Sequence, residues 1–307
     1  MVRLWEACHL MPRRAPTTCV IVNPTAGSVH NLSDITTALR RLRGCTVQIS
    51  PKRRAVERLA RDAARKGCEL IVAAGGDGTL NEVVNGVAAS ADRVRVGVLP
   101  LGTGNDFARS LGLPPDIESC VDILRAGRTR ATDLVRVTSD RVRHFVNVSA
   151  GGFSGVVDEK MTPQLKKKWG PLAYLRGAAA ALAELRAYRT RIALENEAVV
   201  SRDLYNVVIA NGRYVAGGTP IAPEAEIDDG LLDVILLPKL PMRQLALLVA
   251  QIVLGTHLSN DAVIFRRAKK VTVQSRPGMW FNVDGELVGN QPAVFDLLPR
   301  GIRFVVP

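Results

Sequence analysis

The feature of the sequence that most constrains the fold is a cluster of glycines after an apolar run. Leu70-Ile71-Val72 is typical of a buried strand, and Gly75-Gly76-Asp77-Gly78-Thr79 follows it closely. Glycines let the backbone approach a ligand closely, and the N–H groups of such a turn and of the next helix attract anions. A carboxylate there repels phosphate, so Asp77 indicates a divalent cation or a reaction that needs a base. The alternative is an ordinary tight turn between a strand and a helix.

Strands and helices alternate through the first part of the chain. The predicted strands are Thr18–Val22, Thr46–Ser50, Leu70–Ala74 and Val94–Leu99, and the predicted helices include Ala55–Lys66 and Leu80–Ala89. This alternation predicts a parallel sheet with helices on both faces, and ligands of such sheets bind at the carboxyl ends of the strands. Three of the strands end in turns that contain glycine. We therefore expect these three turns to converge on one crevice.

The turn after the fourth strand is Pro100-Leu101-Gly102-Thr103-Gly104-Asn105-Asp106-Phe107. Its two glycines allow a ligand to approach the backbone, while Thr103, Asn105 and Asp106 add side-chain donors and acceptors. The alternative is that Asn105 or Asp106 simply caps the helix that follows. Capping would explain Asp106 but not the whole run.

After about residue 130 the pattern changes to short, strand-like runs separated by turn signals such as Asp229-Gly230 and Asp284-Gly285. These runs are Ala131–Val137, His144–Ser149, Thr190–Leu194, Asn206–Ala210, Leu231–Leu237, Lys270–Gln274, Met279–Val283, Ala293–Leu297 and Ile302–Val306, and the helices Pro171–Tyr188 and Pro241–Leu254 interrupt them. We predict a basic extension over residues 1-16, an α/β domain over 17-130 and an antiparallel, β-rich domain over 131-307.

Charge and cysteine content limit the partners and the compartment. Lys and Arg number 41 against 29 Asp and Glu, a net charge of +12 that suits nucleic acid, anionic lipid or a polyanionic small molecule. No run interleaves basic and aromatic residues, so we expect no nucleic-acid partner. The five cysteines include no CxxC pair, which predicts free thiols in the reducing cytoplasm. We expect neither a signal peptide nor a membrane span, because no apolar run reaches about 18 residues.

Four motifs taken together resemble those of the diacylglycerol kinase catalytic family, and most of all those of the bacterial lipid kinases related to sphingosine and ceramide kinases. They are Asn23-Pro24-x-Ala26-Gly27, Gly75-Gly76-Asp77-Gly78-Thr79, the turn at residues 100–107, and Val283-Asp284-Gly285-Glu286. The segment Asn211-Gly212-Arg213-Tyr214-x-x-Gly217-Gly218 is also similar to one of the family. NAD kinases share Gly-Gly-Asp-Gly, whereas the run at 100–107 is specific to lipid kinases. The resemblance implies a three-layer α/β nucleotide-binding domain, an antiparallel β-sandwich-like domain and an active site in the cleft between them.

The resemblance also implies roles for single residues. ATP would contact Ser50, Gly75, Gly76, Asp77, Gly78, Thr79, Leu80, Asn81 and Thr103, and the predicted nucleotide site further includes Asn23, Gly102, Gly104, Asn105 and Asp106. Glu286 would be the general base for the lipid hydroxyl, and Asp77 would anchor the catalytic Mg²⁺ or, alternatively, act as the base. A second, structural Mg²⁺ would bind Glu226, Asp229 and Leu231. The alternative for that segment is a plain Asp-Gly hairpin turn.

We therefore predict an ATP- and Mg²⁺-dependent lipid kinase, with diacylglycerol as the first candidate acceptor and phosphatidic acid as the product. One alternative is an NAD kinase, and another is a nucleotide- or lipid-binding regulator without catalysis. The lipid acceptor predicts a cytoplasmic protein that contacts an anionic membrane surface peripherally. The candidate contacts are two basic clusters, namely Lys160 with residues 166–169, and residues 52–54 with Arg58. The oligomeric state stays open between a monomer and a homodimer.

Overall fold

The fold is that of a computed structural model, which describes residues 17–27, 32–42, 44–50, 55–152, 185–195, 197–290 and 292–307. Several predicted features lie outside these residues. They are the basic extension over 1–16, most of the helix predicted over residues 171–188, and both basic clusters except Arg58. Within the described part of the chain, no helix has both the length and the apolarity needed to cross a bilayer.

Four parallel strands form the N-terminal part of the sheet, in the order β2-β1-β3-β4. Their bounds are Thr18–Val22 for β1, Cys45–Ile49 for β2, Leu70–Gly75 for β3 and Arg95–Pro100 for β4. Strands β1 and β3 are buried on both faces, which explains why they are continuous apolar runs. Strand β2 lies at the edge of the sheet and is largely exposed.

Helices cover both faces of this sheet. They are α1 (Leu32–Leu39), α2 (Val56–Arg65), α3 (Asp77–Val87), α4 (Asp106–Ser110) and α5 (Ile117–Ala126). Residues of α2 and α3 share one apolar core with Ile21 and Ile71, whereas α1 and α5 share another with Val20 and Val72. Neighbouring residues of one strand thus face opposite cores, and the predicted three-layer α/β domain is confirmed.

The second part of the chain forms antiparallel strands around a core of its own. The strands are β5 (Thr129–Thr138), β6 (Val142–Phe145), β7 (Val148–Gly152), β8 (Tyr188–Leu194), β9 (Val200–Ala210), β10 (Leu232–Pro238), β11 (Ile264–Ala268), β12 (Lys270–Arg276), β13 (Phe281–Val283), β14 (Glu286–Gly289) and β15 (Ala293–Val305), with the helix α6 at Met242–Leu254. Phe295 contacts Phe145 and Phe281 edge to face in the centre of this core. The predicted β-rich, sandwich-like domain is confirmed.

Three local predictions were wrong. The run predicted at His144–Ser149 contains the end of β6 and the start of β7, because the chain turns there without an interrupting polar segment. Tyr188 begins β8 instead of ending a helix. The runs predicted at Ala293–Leu297 and Ile302–Val306 belong to one strand, since the residues between them form a bulge in which Arg300 has a positive φ of 51°. Strands β11 and β14 were not predicted.

Strand β15 connects the two parts of the molecule. Most of it pairs with the antiparallel strands β5 and β12, but Arg303 and Phe304 pair with β4 in parallel. Ile302 and Phe304 pack in the N-terminal core, where the Phe304 ring lies 5.1 Å from that of Phe107. The phenylalanine that ends the turn after β4 is therefore a core residue, and the last strand crosses back over any boundary near residue 130.

Candidate active site

The three glycine-containing turns meet at the carboxyl end of the parallel strands. The Asn23 amide after β1 donates to the Thr79 hydroxyl at the start of α3, at 3.1 Å. A Cβ on Gly76 would lie 3.1 Å from the Gly102 Cα, and one on Gly102 would lie 2.4 Å from the Gly76 Cα. Two turns thus pack backbone against backbone, which requires glycine at both positions. The predicted convergence is observed.

The turn after β1 also contacts the turn after β4, and Ser50 lies at the same edge of the sheet. A Cβ on Gly27 would lie 2.8 Å from the Thr103 hydroxyl oxygen. Ser50 directly follows β2, is buried, and donates its N–H to the Val22 carbonyl at 2.8 Å. The geometry therefore brings Asn23, Ser50 and Thr103 to one edge of the sheet, as the sequence predicts for a nucleotide site.

Within the turn after β3, the residues have different roles. A Cβ on Gly75 would lie 2.3 Å from the Thr79 hydroxyl oxygen, so this glycine lets α3 begin tightly against β3. A Cβ on Gly78 would meet nothing within 4 Å, and that glycine leaves open space above the first turn of the helix. Leu80 packs in the core and its N–H donates to the Gly76 carbonyl, so it offers the crevice no side chain.

Asn105 shapes the turn after β4 from within. It adopts a left-handed conformation with φ 52°, and its side chain accepts from the Gly102 N–H at 2.9 Å. Its amide donates to the carbonyls of Pro100 and Gly102 at 3.2 and 2.8 Å. Asn105 occupies the N-cap position of α4, yet its side chain makes no capping hydrogen bond. The capping alternative is therefore wrong for this residue, since its side chain closes the turn instead.

Two carboxylates lie beneath these turns. Asp77 accepts from the Phe107 N–H at 3.3 Å, and Asp106 accepts from the Gly217 N–H at 3.1 Å. A Cβ on Gly104 would lie 3.0 Å from one carboxylate and 3.3 Å from the other, so both flank this glycine. Burial raises the pKa of each carboxyl group, and the charge of Asp77 raises the pKa of Asp106 further. A cation between them would offset the cost of keeping both ionised.

A third carboxylate approaches from the second domain. Asp284 and Gly285 form the turn of the β13–β14 hairpin with φ values of 45° and 90°. The Asp284 carboxylate accepts from the N–H groups of Val146 and Val148 at 3.3 and 2.9 Å, and from the Asn81 amide at 3.5 Å. Burial raises the pKa of Asp284 to about 6, and the charge of Asp77 contributes. The sequence suggested only a turn residue here, because Asp-Gly is also what such a hairpin requires.

One stripe of helix α3 forms the seam between the domains. Asp77, Asn81 and Asn85 recur every fourth residue and so lie on the same side of the helix. The amides of Asn81 and Asn85 donate to the His144 carbonyl at 3.2 and 2.8 Å, and Asn85 accepts from the His144 N–H at 2.8 Å. Asn81, a predicted ATP contact, thus uses its side chain to hold the second domain. Asn85 was not predicted, although its spacing of four residues from Asn81 on an otherwise apolar helix could have indicated it.

Glu286 begins β14 and is held by arginines. Its two carboxylate oxygens lie 2.6 Å from Arg143 and 3.1 Å from Arg141. Arg143 also pairs with Glu57 of α2 at 2.7 Å, and Glu57 pairs with Arg61 at 2.5 Å. The Glu286 side chain is 22% exposed and that of Arg143 14% exposed. The candidate base is therefore a positioned, half-buried carboxylate and not a free surface one, and neither arginine was predicted.

The segment predicted to hold a structural Mg²⁺ is a turn before β10. Asp229 accepts from the Leu231 N–H at 2.9 Å, and the Gly230 N–H donates to the buried Asp133 at 2.8 Å. No strand directly precedes this turn, so the hairpin alternative is wrong. Among the described residues, no group of three or more His, Cys, Asp or Glu side chains is arranged to hold a metal ion. Glu226 is exposed, and only one of the two Asp229 carboxylate oxygens accepts a hydrogen bond from a described residue. This metal site stays a prediction.

Comparisons with known proteins agree with this geometry. A family model described as the diacylglycerol kinase catalytic domain matches residues 17–137, and one described as the YegS C-terminal NAD kinase beta sandwich-like domain matches residues 147–306. A diacylglycerol kinase of Staphylococcus haemolyticus (strain JCSC1435) is 34% identical over 292 residues, which cover 94% of this chain and 87% of that protein. This chain belongs to the diacylglycerol kinase catalytic domain family. The resemblance carried by the four sequence motifs is thereby confirmed, as is the assignment to the lipid kinases.

Solved structures share the fold of this lipid kinase. A diacylglycerol kinase from Bacillus anthracis str. Sterne superposes with a TM-score of 0.73 at 19% identity, covering 96% of this chain and 98% of that one. An NAD kinase from Archaeoglobus fulgidus, solved in complex with ATP, superposes with a TM-score of 0.52 at 15% identity, covering 94% and 93%. At these identities the likeness is one of fold, and it explains why the Gly-Gly-Asp-Gly turn alone does not separate the two kinases.

Proposed function

We propose that this lipid kinase transfers the γ-phosphoryl group of ATP to the hydroxyl of diacylglycerol and so forms phosphatidic acid. The observation that carries the proposal is the meeting of two walls. The glycine turns with Asp77 and Asp106 face a hairpin that bears Asp284 and Glu286. In the reaction, the bond from the γ-phosphorus to the bridging oxygen of ADP breaks and a new bond to the lipid oxygen forms. The hydroxyl proton passes to a base.

The residues beneath the turns fit a hard divalent cation. Carboxylate oxygens are the ligands that Mg²⁺ takes in proteins, and Asp77 and Asp106 supply them side by side. One oxygen of Asp106 is buried and has no hydrogen-bond partner among the described residues. When bound with ATP, Mg²⁺ would neutralise the negative charge on the phosphates. Gly78 leaves open space that the phosphates could occupy, and Gly104 lets the backbone pass beside both carboxylates.

Glu286 is the base in this proposal. An ionised carboxylate has about four lone-pair sites, and Arg141 and Arg143 occupy one oxygen each. Asp284 accepts three hydrogen bonds, which leave it less capacity to take a proton. Phosphoryl transfer requires an aligned nucleophile more than a strong base, and a carboxylate held by two guanidinium groups is well placed to align a hydroxyl. Asp77 is the second candidate, on the opposite wall.

The transfer itself is tested with γ-labelled ATP, Mg²⁺ and mixed detergent micelles that contain diacylglycerol or sphingosine, or with NAD in solution. Label extracted into the organic phase from the diacylglycerol micelles is the expected result. Label from the sphingosine micelles alone would change the acceptor, and label on NAD would favour the NAD kinase alternative. No transfer to any acceptor would favour the regulator without catalysis.

The base is tested by Glu286→Gln. We expect kcat to fall by about 10²–10⁴-fold with little change in the KM for ATP, because an amide cannot take the proton. Asp296→Asn is the matched control, since Asp296 also has two basic partners, Arg136 at 3.1 Å and Lys270 at 3.3 Å, but lies on β15. Near-normal turnover of Glu286→Gln would exclude this residue as the base, and the same assay on Asp77→Asn and Asp284→Asn would then identify another.

A further inference from the structure

Helix α6 has large apolar side chains on both faces, although only one face is buried. Leu245 and Leu248 are buried, and Leu248 belongs to the apolar cluster that includes Val208 and Ile235 of the sheet. On the outer face, large apolar side chains are 61%, 58%, 52% and 73% exposed at Met242, Leu247, Val253 and Leu254, respectively. Arg243 and Gln244 are also exposed on this helix, but four large apolar side chains on its outer face are more than a single exposed residue would require. Several large apolar side chains exposed on one helix indicate an interaction site.

The end of α6 lies one short loop away from the cleft. A Cβ on Gly255, which caps the helix, would lie 2.9 Å from a ring carbon of Pro220. The His257 ring, just beyond, is hydrogen-bonded to the Ile221 carbonyl at 2.9 Å. Three residues before Pro220, the Gly217 N–H donates to Asp106 at 3.1 Å. The C-terminal end of α6 is therefore connected through residues 217–221 to the carboxylates of the N-terminal side of the cleft.

The charges around this face suit an anionic partner. Helix α6 contains no acidic residue, and its Arg243 is exposed. At the cleft, the exposed Arg109 lies beside Gly218, with its guanidinium 5.8 Å from the centre of the Tyr214 ring. Long basic side chains beside an apolar face keep their charge at the level of lipid head groups while the apolar residues enter the membrane.

We propose that the outer face of α6, defined by Met242, Leu247, Val253 and Leu254, docks on the surface of an anionic phospholipid bilayer. The helix lies in the plane of the interface, with its apolar side chains about 5–10 Å below the head groups. The loop at residues 217–221 then faces the membrane next to the cleft, where a lipid hydroxyl can reach the donor. The purpose of this docking rests on the proposed function, whereas the docking itself is measured independently of catalysis.

The test is sedimentation with vesicles of phosphatidylcholine and phosphatidylglycerol, for the wild type and for Leu247→Gln with Leu254→Gln. We expect the double variant to lose about tenfold or more in vesicle affinity, because two large side chains no longer leave water. The matched control is Val47→Gln with Ile49→Gln, which changes two exposed apolar residues of the edge strand β2, 39% and 51% exposed. The control should bind as the wild type does, and all three proteins should unfold at similar temperatures.

Activity provides a second measurement. With diacylglycerol in vesicles, the double variant should lose turnover in proportion to its binding, whereas with short-chain diacylglycerol dispersed in water it should match the wild type. Equal vesicle binding by the wild type and the double variant would overturn the proposal. So would a wild-type dimer that the double variant dissociates without any change in vesicle binding, since the face would then be covered by a second copy. A wild type that sediments with vesicles but phosphorylates neither form of the lipid would refute the proposed function and leave the docking intact.

Discussion

On the N-terminal wall of the cleft, Asp77 and Asp106 accept hydrogen bonds from main-chain N–H groups, and neither forms an ion pair with another described residue. On the C-terminal wall, Glu286 is paired with two arginines, and Arg143 extends the chain of charges to Glu57. Both carboxylates of the first wall lack an ion pair among the described residues. On the second wall Asp284 lacks one too, and only the charge of Glu286 is compensated by arginine. Under the proposed function, we therefore expect the cation at the two unpaired carboxylates of the first wall and the lipid hydroxyl at Glu286 on the second.

The largest expected effect on turnover comes from substituting Asp77 on the N-terminal wall. Asp77→Asn should lower kcat by at least about a hundredfold, because the amide cannot hold the cation that neutralises the phosphates. The unfolding temperature should not fall, because the Asn oxygen can still accept from the Phe107 N–H and the variant buries no charge. Turnover in the micelle assay and thermal unfolding measure the two effects. A loss within about threefold, the range also expected for the exposed Asp92→Asn, would place the cation elsewhere.

On the C-terminal wall, removing an arginine beside Glu286 should lower turnover less. Arg143→Gln should lower kcat by about 10- to 100-fold with the KM for ATP unchanged, because Glu286 loses one of its two partners. Arg143→Lys should recover part of the loss by keeping the charge without the paired geometry. In a Glu286→Gln background, Arg143→Gln should add nothing. A further loss in that double variant would mean that Arg143 acts independently of Glu286.

Alanine substitutions distinguish the roles of Gly102 and Gly78 on the N-terminal wall. Gly102→Ala should lower the free energy of unfolding by about 1–3 kcal/mol, since its Cβ would meet the backbone of Gly76. Gly78→Ala should leave stability unchanged or slightly higher, because its Cβ would meet open space on a helix. If the phosphates occupy that space, Gly78→Ala should weaken ATP binding in calorimetry. Normal ATP affinity for Gly78→Ala would show that the donor lies away from this turn.

The smallest expected effect is a shift of the unfolding temperature with Mg²⁺ and pH. Burial raises the folded-state pKa of Asp77 and Asp106 above the ordinary 3.8, so their contribution to stability is greatest below that value and is lost as the pH rises through the raised values. Millimolar Mg²⁺ should restore a few degrees at pH 7.5 and less at pH 5, where protons compete. Asp106→Asn should reduce this shift. An equal shift in the variant would exclude Asp106 as a ligand.

The nucleotide-binding half was accessible from the sequence for a simple reason. Strand β1 matches its prediction residue for residue, and the predicted bounds of β2, β3 and β4 are within one residue of those observed. Parallel strands buried on both faces are continuous apolar runs between turn residues, so the local sequence is enough to predict where they begin and end. Parallel topology then brings the turns after them to one edge. The position of the three glycine turns therefore followed from the order of the elements alone.

The second wall was accessible only in part. Glu286 was predicted from its motif, but its partners Arg141 and Arg143 precede it by more than 140 residues and reach it only through the pairing of β5 with β6 and of β7 with β13. Asp284 was hidden because an Asp-Gly turn accounts for it locally. The sequence places Leu245, Leu248 and Ile252 on one apolar face of α6, and that face packs on the sheet. It does not show that the apolar residues on the other side stay uncovered, because this depends on which elements pack around the helix.

The sequence by itself determined the layered nucleotide domain, the meeting of its glycine turns and the family of kinases to which the chain belongs, because each depends on short runs of residues and their order. The tertiary structure decided which carboxylates form no ion pair among the described residues, which one is held by arginines, and which apolar face stays open. Those outcomes depend on residues far apart in the chain, and only long-range strand pairing brings them within hydrogen-bond distance.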